Sequence, residues 1–294
     1  MLSEFTQIKD DFEDFAKDYF LAQPIQSPRL KEAMAYSFLN GGKRIRAILS
    51  FLSGACFNCD PHNIKHIALA LEAIHAYSLI HDDLPAMDDD DLRRGKPTCH
   101  IQFDEATAIL AGDALQTLAF QALSELKAID IKQLQKALYL LATHAGSQGM
   151  VDGQQLDIDA EGQTQDITSI ETIHRLKTGK LLTAAVVLPF ITSPYYTDKT
   201  VEKKLIAFGQ CIGLAFQVKD DLLEVTSDTA TLGKNNMSDL KLNKSTYPSL
   251  LGIEKTQQLL DELFAQSMAH LQQIKGHDTT SLAQLAEYII RRTH

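Results

Sequence analysis

Two acidic clusters are the residues of this chain best suited to chemistry. Each ends a segment that is otherwise apolar and helix-forming, and they read Asp82-Asp83-Leu84-Pro85-Ala86-Met87-Asp88 and Asp220-Asp221-Leu222-Leu223-Glu224. Clustered carboxylates beside an apolar core are costly, through desolvation and mutual repulsion, unless a cation neutralises them. Ligation by oxygen alone favours Mg²⁺, Mn²⁺ or Ca²⁺ over Zn²⁺, and Mg²⁺ commonly bridges carboxylates to a phosphorylated substrate. The clusters therefore indicate a divalent metal site.

Helix geometry separates the two clusters. Asp220 and Glu224 are four residues apart and share one face of a helix. Asp82 and Asp88 are six apart with Pro85 between them, and proline both lacks an N–H donor and clashes with the preceding turn. We expect the helix to stop or distort near Leu84 and to leave Asp88 on a bent segment. A solvated acidic loop is the alternative for the run of aspartates 88–91.

Three basic segments are prominent in a chain whose formal net charge is −10. They are Gly41-Gly42-Lys43-Arg44-Ile45-Arg46, Arg93-Arg94-Gly95 and Lys177-Thr178-Gly179-Lys180. Each alone is typical of a solvated surface. No Walker A or G-x-G-x-x-G sequence is present, so any phosphate would be held by arginines, lysines and metal. The acidic balance also argues against nucleic acid as a partner.

The elements that position these residues are predicted to be helices. Apolar residues recur at three- and four-residue spacing, without sustained alternation, over the segments 64–80, 106–126, 131–141, 170–188, 201–223 and 256–274. Ser27-Pro28 and Asp60-Pro61 are typical helix starts, and Thr168 with Glu171 matches a capping box. We predict an all-α fold with an elongated apolar interior, and a loop or lid between Thr226 and Tyr247.

Domain count and location follow from the same reading. The chain has 294 residues and no linker of low complexity, which predicts one domain over 1–294. The acidic start lacks signal-peptide features, and the longest apolar stretch, 181–191, is too short to span a bilayer. We therefore expect a cytoplasmic protein that does not enter the membrane. Cys56 and Cys59 form a lone C-x-x-C pair and are expected to be free thiols.

A series of motifs in a fixed order carries a resemblance to a known family. The chain resembles the trans-prenyl diphosphate synthases over essentially its whole length. Besides the acidic and basic segments above, the matching residues are His75, His81, Gly112-Asp113, Phe216-Gln217, Gly233-Lys234 and Lys244-Ser245-Thr246. One aspartate pair would be a weak signal, whereas this ordered set is specific.

The resemblance implies a helical bundle, usually dimeric, with the two aspartate motifs facing each other at the mouth of an apolar channel. It assigns Mg²⁺, as three ions with substrate bound, to Asp82, Asp88 and Asp220. Asp83, Asp221 and Glu224 would support them, although the family usually has aspartate where Glu224 stands. The allylic diphosphate is assigned to Arg93, Lys177 and Lys234, and isopentenyl diphosphate to Lys43, Arg46, His75 and Arg94. Thr178, Gln217 and the Lys177 carbonyl would face the allylic cation.

The implied reaction is magnesium-assisted ionisation of an allylic diphosphate and attack by isopentenyl diphosphate, with the proton passing to the departing pyrophosphate. Dimethylallyl and then geranyl diphosphate would be extended to the fifteen-carbon farnesyl diphosphate. Tyr77 and Ser78 are expected to limit chain length, because Tyr77 lies five residues before Asp82, roughly 7.5 Å along a helix. In this family an aromatic residue there accompanies short products.

Four alternatives remain at this point. A geranyl or geranylgeranyl diphosphate synthase would share the motifs. A di-iron carboxylate bundle would use the E-x-x-H pairs at Glu72/His75 and Glu171/His174, but the further glutamates it needs are not evident. A terpene cyclase would leave Lys43 and Arg46 without a role and expects Ser or Thr where Glu224 stands. A non-catalytic synthase subunit need not keep both acidic motifs.

Overall fold

The computed structural model describes residues 3–226 and 245–292. Helices make up most of these residues and strands almost none, which confirms the predicted all-α fold. Two antiparallel strands of two residues each, β1 (Leu92–Arg93) and β2 (Lys96–Pro97), form a small hairpin after the first acidic cluster. In the described part of the chain, no helix is long and apolar enough to cross a membrane.

The helices follow one another with short connections. In chain order they are α1 (Ser3–Ala22), α2 (Pro28–Phe38), α3 (Ile45–Cys56), α4 (Pro61–Asp82), α5 (Cys99–Gln102), α6 (Glu105–Ser124), α7 (Ile131–Ala145), α8 (Met150–Asp159), α9 (Ile167–His174), α10 (Lys180–Thr192), α11 (Lys199–Thr226), α12 (Tyr247–Leu251), α13 (Ile253–Gln272) and α14 (Thr280–Arg291). A π-helical turn (Arg175–Gly179) joins α9 directly to α10.

Helix α10 lies at the centre of the bundle. Every residue from Leu181 to Thr192 is buried, as expected of a helix that is apolar on all sides. Helices α3, α4, α7 and α11 pack around it, while α6 packs on α4 and α13 packs on α11. The two helices that carry the acidic clusters, α4 and α11, are therefore held by the same central helix.

Helix starts follow local capping chemistry. The predicted caps at Ser27 and Asp60 are confirmed, because their side chains accept hydrogen bonds from Leu30 N and His62 N. The capping box predicted at Thr168 is wrong. Asp166 caps α9 instead, accepting from Ser169 N at 2.8 Å, and Glu171 pairs with Arg175 one turn later.

The predicted helical segments are found with two differences. The segment predicted at 170–188 is interrupted by the π-helical turn, which periodicity alone does not distinguish from a regular helix. Seven helices lie outside the predicted segments, namely α1, α2, α3, α5, α8, α12 and α14, although the start of α2 was predicted at Ser27-Pro28. The predicted distortion before Pro85 is confirmed, since α4 ends at Asp82. The four cysteines are free thiols, and burial raises the pKa of Cys59 to about 11.

Candidate active site

The first acidic cluster lies at the end of α4, where the chain folds back on itself. Asp88 N donates to Asp82 O at 2.9 Å, and Met87 N donates to Leu84 O at 2.8 Å. This tight turn brings Asp88 beside Asp82 despite their six-residue separation. Both side chains line a polar cavity of about 440 Å³.

Asp83 points away from that cavity and is buried against Arg93. Arg93 Nε donates to Oδ1 at 2.7 Å and to Oδ2 at 2.9 Å. The ion pair ties the β-hairpin to the end of α4 and keeps Asp83 as a structural partner. Arg93 nevertheless lines the same cavity, so its predicted contact with diphosphate would come from a guanidinium already held in place.

The two aspartates of the second cluster differ in burial and in their hydrogen-bond partners. Asp221 is buried and its Oδ2 accepts from Tyr247 N at 3.0 Å, at the start of α12. Asp220 has a side chain 44% exposed and lines the cavity, while Arg292 Nη2 donates to its Oδ1 at 2.7 Å. Glu224 is not among the cavity-lining residues of the described chain. Asp82 and Asp88 of the first cluster and Asp220 and Asp221 of the second thus line one cavity, and Asp220 is more exposed to it than Asp221.

Burial makes the ionised form of Asp82 costly. Burial, together with Asp88 and Asp83, raises the pKa of Asp82 to about 6, although Lys177 and Arg93 act in the opposite direction. A cation placed between Asp82 and Asp88 would relieve this cost.

The residues fit Mg²⁺ held jointly with a diphosphate. In the described ranges, no group of three or more His, Cys, Asp or Glu side chains converges closely enough to hold a metal ion. Mg²⁺ usually takes one or two carboxylates, several waters and substrate phosphate oxygens. Carboxylates of both acidic clusters line one cavity together with Arg93 and Lys177, which agrees with that mode of binding.

A second, less polar cavity of about 310 Å³ adjoins the first. Tyr77 and Ser78 of α4 line it, together with Met150 and Ile158 of α8. Leu79, Asp82 and Lys177 line both cavities. A ligand with a charged head and an apolar tail would therefore place its junction beside Asp82 and Lys177.

The π-helical turn presents Lys177 and Thr178 at this junction. Thr178 lines the apolar cavity, and Gln217 of α11 lines the polar one. Two glycines allow neighbouring helices to approach the turn closely. A Cβ on Gly153 of α8 would lie 2.2 Å from Lys177 N, and a Cβ on Gly213 of α11 would lie 2.7 Å from Gly179 Cα. π-Helical turns are frequent at functional sites, and this one is packed from two sides.

Several arginine side chains surround His75 of α4. Burial and neighbouring arginines, Arg46 first, lower the pKa of His75 well below its usual value. Arg46 and His75 line the apolar cavity. Arg94 donates to Gly41 O, and this bond joins the hairpin to the Gly41-Gly42 segment before α3. The Nε atom of Arg46 is buried without a hydrogen-bond partner in the described part of the chain. Mutually repelling buried cations of this kind favour an anion.

The other basic residues of the first motif have different surroundings. Burial and the charge of Arg292 lower the pKa of Lys43, while the charge of Asp220 in the second cluster acts to raise it. Arg44 is internal: it donates to Phe38 O at 2.7 Å and pairs with Glu72 and Glu13. Glu72 also accepts from Ala47 N, so it is already committed, which counts against the di-iron alternative.

The predicted set of site residues differs from the set that the structure places at the cavity. Lys234 and most of the predicted lid lie outside the described residues. Sequence reasoning missed Asp157, which pairs with Lys177, and Arg292, which pairs with Asp220. Asp157 lies in a helix of mixed polar composition, three residues after Gly153-Gln154, and Arg292 lies near the end of the chain. Neither periodicity nor motif spacing therefore indicated that these residues belong to the site.

Known proteins are similar to this chain over nearly its full length. Residues 27–278 match the family model described as polyprenyl synthetase. The chain is 48% identical to the farnesyl diphosphate synthase of Haemophilus influenzae over 289 residues, which covers 98% of this chain and 97% of that protein. It is 47% identical to the farnesyl diphosphate synthase of Escherichia coli over 273 residues, covering 92% and 91%.

A solved structure shows the same fold. The geranyltransferase from Helicobacter pylori, complexed with magnesium and isoprenyl diphosphate, aligns with a TM-score of 0.83 and 33% identity. The alignment covers 98% of this chain and 96% of that one. These similarities confirm the resemblance to trans-prenyl diphosphate synthases and the prediction of an enzyme. The chain belongs to the polyprenyl synthetase family.

Proposed function

We propose that this protein is a short-chain prenyltransferase that condenses isopentenyl diphosphate with dimethylallyl and then geranyl diphosphate to give farnesyl diphosphate. The observation that carries the proposal is the junction of the polar and apolar cavities at Asp82 and Lys177. Such a junction suits an allylic diphosphate, whose charged head and hydrocarbon tail need different surroundings. Its family membership and the functions of its relatives support the same reaction.

The side chains of the polar cavity bind and orient the diphosphate. Arg93 and Lys177 donate to its oxygens, and Asp82, Asp88 and Asp220 would hold Mg²⁺, as three ions when substrate is bound. Lys234 is a further proposed contact. Mg²⁺ supplies electrostatic stabilisation of the charge that develops on the leaving diphosphate. Arg93 is held by its ion pair with Asp83, so its donors are oriented before the carbon–oxygen bond breaks.

The apolar side of the junction protects the cation. The Thr178 hydroxyl, the Gln217 side chain and the Lys177 carbonyl orient their negative ends toward it. The apolar cavity limits the access of water. Arg46, His75, Arg94 and Lys43 bind isopentenyl diphosphate so that its double bond faces the cation. His75 is held neutral by burial and neighbouring arginines, which lets it donate a hydrogen bond without another full charge.

Chain length is assigned to the far end of the apolar cavity. Tyr77 and Ser78 line that cavity, and the Tyr77 ring packs edge to face on His81 with 5.5 Å between centroids. A ring at this position blocks a tail longer than fifteen carbons. A geranylgeranyl diphosphate synthase is the second candidate, and the identities to farnesyl diphosphate synthases support it less than the main proposal.

The proposal extends to a homodimer in the cytoplasm, formed by a single domain over 1–294. Twelve of the helices contribute to one hydrophobic core, and a smaller cluster joins α9 and α12 to α11, α13 and α14, which also contribute to the main core. This continuity supports a single domain. Ile109 and Leu110 are adjacent, exposed and apolar on α6, where a partner subunit would bury them.

The reaction is tested by incubating the purified protein with magnesium, labelled isopentenyl diphosphate and either dimethylallyl or geranyl diphosphate. The products are dephosphorylated and resolved by chain length. We expect farnesol as the dominant alcohol, and no condensation when EDTA replaces magnesium. A twenty-carbon product would overturn the chain-length assignment alone, whereas folded protein without any condensation would overturn the proposed reaction.

A further inference from the structure

Asp157 forms an ion pair with a residue of the proposed diphosphate site. Its Oδ2 lies 2.8 Å from Lys177 Nζ, and the two side chains are only 19% and 26% exposed. Both line the polar cavity. The pair joins α8 to the π-helical turn, two elements that are otherwise separate in sequence. A half-buried pair of this length is a defined contact and differs from a solvated surface pair.

Lys177 has a second carboxylate within its electrostatic reach. The positive charge of Lys177 acts to lower the pKa of Asp82, which lines the same cavity. Asp82 is one of the proposed Mg²⁺ ligands, and a lysine paired with it would occupy the oxygens that the metal needs. The position of the Lys177 ammonium group therefore decides whether Asp82 stays available.

The packing of α8 fixes Asp157 at the distance needed to hold that ammonium group. Gly153 lies one helical turn before Asp157, on the same face of α8. A Cβ at Gly153 would be 2.2 Å from Lys177 N and 2.7 Å from Lys177 Cα, so α8 contacts the backbone of the turn directly. The glycine sets the approach of the two backbones, and Asp157 then receives the Lys177 side chain.

We propose that Asp157 is a positioning residue that holds Lys177 toward the allylic diphosphate and away from Asp82. The inference rests on the proposed function, since it assigns Lys177 to the allylic substrate. Without the Asp157 charge, the Lys177 side chain pairs with Asp82, and both the diphosphate contact and a metal ligand are weakened together.

The effect is specific for one of the two substrates. Isopentenyl diphosphate is assigned to Arg46, His75, Arg94 and Lys43, none of which is among the described residues that line the polar cavity where Asp157 pairs with Lys177. Loss of the Asp157 charge should therefore raise the KM for geranyl diphosphate and leave the KM for isopentenyl diphosphate unchanged. A merely structural defect would change both constants.

The test compares Asp157→Asn with Asp159→Asn. Asp159 lies on the same helix with an exposed side chain whose carboxylate accepts from Gln155, and it does not line the polar cavity. Binding of geranyl S-thiolodiphosphate, which resists ionisation, is measured by calorimetry with magnesium present. We expect Asp157→Asn to weaken this binding about tenfold, the loss expected for one charge-assisted hydrogen bond. Asp159→Asn should leave the dissociation constant within twofold.

A double-mutant cycle tests whether Asp157 acts on analogue binding through Lys177. Lys177→Met removes the ammonium group, and in that background Asp157→Asn should cause no further loss of analogue binding. Equal losses in both backgrounds would show that Asp157 acts independently of Lys177 and would overturn the inference. An unchanged KM for geranyl diphosphate in a folded Asp157→Asn variant would overturn it as well.

The proposed function fails by a different outcome. If wild-type protein and Asp159→Asn both bind the analogue but condense no substrate, the reaction assignment is wrong. If both condense geranyl and isopentenyl diphosphates and only the Asp157→Asn results are negative, the positioning role alone is wrong.

Discussion

At the scale of single residues, Asp82 is a proposed Mg²⁺ ligand whose ionised form lowers the stability of the metal-free protein. Its carboxylate is buried beside Asp88 and Asp83, and its pKa is raised to about 6. A raised pKa means that the folded protein binds more protons than the unfolded chain between about pH 4 and pH 6. Ionised Asp82 therefore reduces stability as the pH rises through this window, in the absence of metal.

The first prediction concerns Asp82→Asn in metal-free protein. The amide cannot ionise, so the variant should exceed wild type in free energy of unfolding by about 2 to 3 kcal/mol above pH 6. The difference should shrink toward zero near pH 4, where both side chains are neutral. Urea unfolding in EDTA across this range measures it. Asp89→Asn, at an exposed position, is the control, and a difference independent of pH would contradict the account.

The second prediction concerns Tyr77, whose ring is buried against His81 and lines the apolar cavity. Tyr77→Ala should open the end of that cavity and shift the main product from fifteen carbons to twenty or more. Chromatography of the dephosphorylated products measures the shift. Tyr139→Ala, which removes an exposed ring, should leave the product unchanged. An unaltered farnesyl product from folded, active Tyr77→Ala would remove Tyr77 from the chain-length role.

At the scale of elements, the π-helical turn depends on close helix contacts. Gly153 and Gly213 place the backbones of α8 and α11 against it from two sides. The widened turn sets Lys177 and Thr178 at the junction of the two cavities. The position of these groups therefore depends on backbone contacts that a single methyl group would disturb.

The third prediction follows from that contact. Gly153→Ala should force α8 away from the π-helical turn, because the clash is with the backbone of Lys177 and cannot be relieved by a side-chain rotation. We expect a loss of about 1 to 3 kcal/mol in stability, typical of overpacking, and a larger proportional loss in kcat/KM. Asp152→Ala changes the adjacent, exposed residue and should alter neither quantity markedly. Thermal unfolding and initial rates measure both.

At the scale of the whole molecule, the end of the chain reaches the second acidic cluster. Arg292 donates to Asp220 and to Phe216 O, and its guanidinium lies 4.1 Å from the Phe216 ring centroid. The C-terminal residues thus stabilise the helix that carries Gln217 and Asp220. Folding of the last helix and assembly of the site are linked through this arginine.

The fourth prediction concerns the proposed homodimer. Leu110 on α6 has 58% of its surface exposed in the single chain. If a partner covers α6, Leu110→Glu would bury an unpaired charge and should shift the protein from dimer to monomer. Analytical ultracentrifugation at micromolar concentration measures the mass. Leu21→Glu, at an exposed residue of α1, is the control, and a monomeric wild type would contradict the dimer.

The sequence by itself determined the fold class and named residues that the structure brings to one cavity. Helical periodicity and proline and capping chemistry act locally, so α4, α6, α7, α11 and the break before Pro85 were predictable. The residue types and the order of the motifs singled out five residues that the structure places around the polar cavity: Asp82, Asp88, Asp220, Lys177 and Gln217. The Thr168 capping box failed because Asp166 provides a competing local cap two residues earlier.

Only the tertiary structure decided which members of each cluster face the cavity. Asp83 has the same chemistry as Asp82 but is paired with Arg93 and does not line the cavity, and Asp221 lines it with one oxygen already bonded to Tyr247 N. The pairs Asp157 with Lys177 and Arg292 with Asp220 also depend on helices that meet in space. Pair energies fall steeply with distance, and the distance between residues on different helices is set by core packing around α10, which no local pattern encodes.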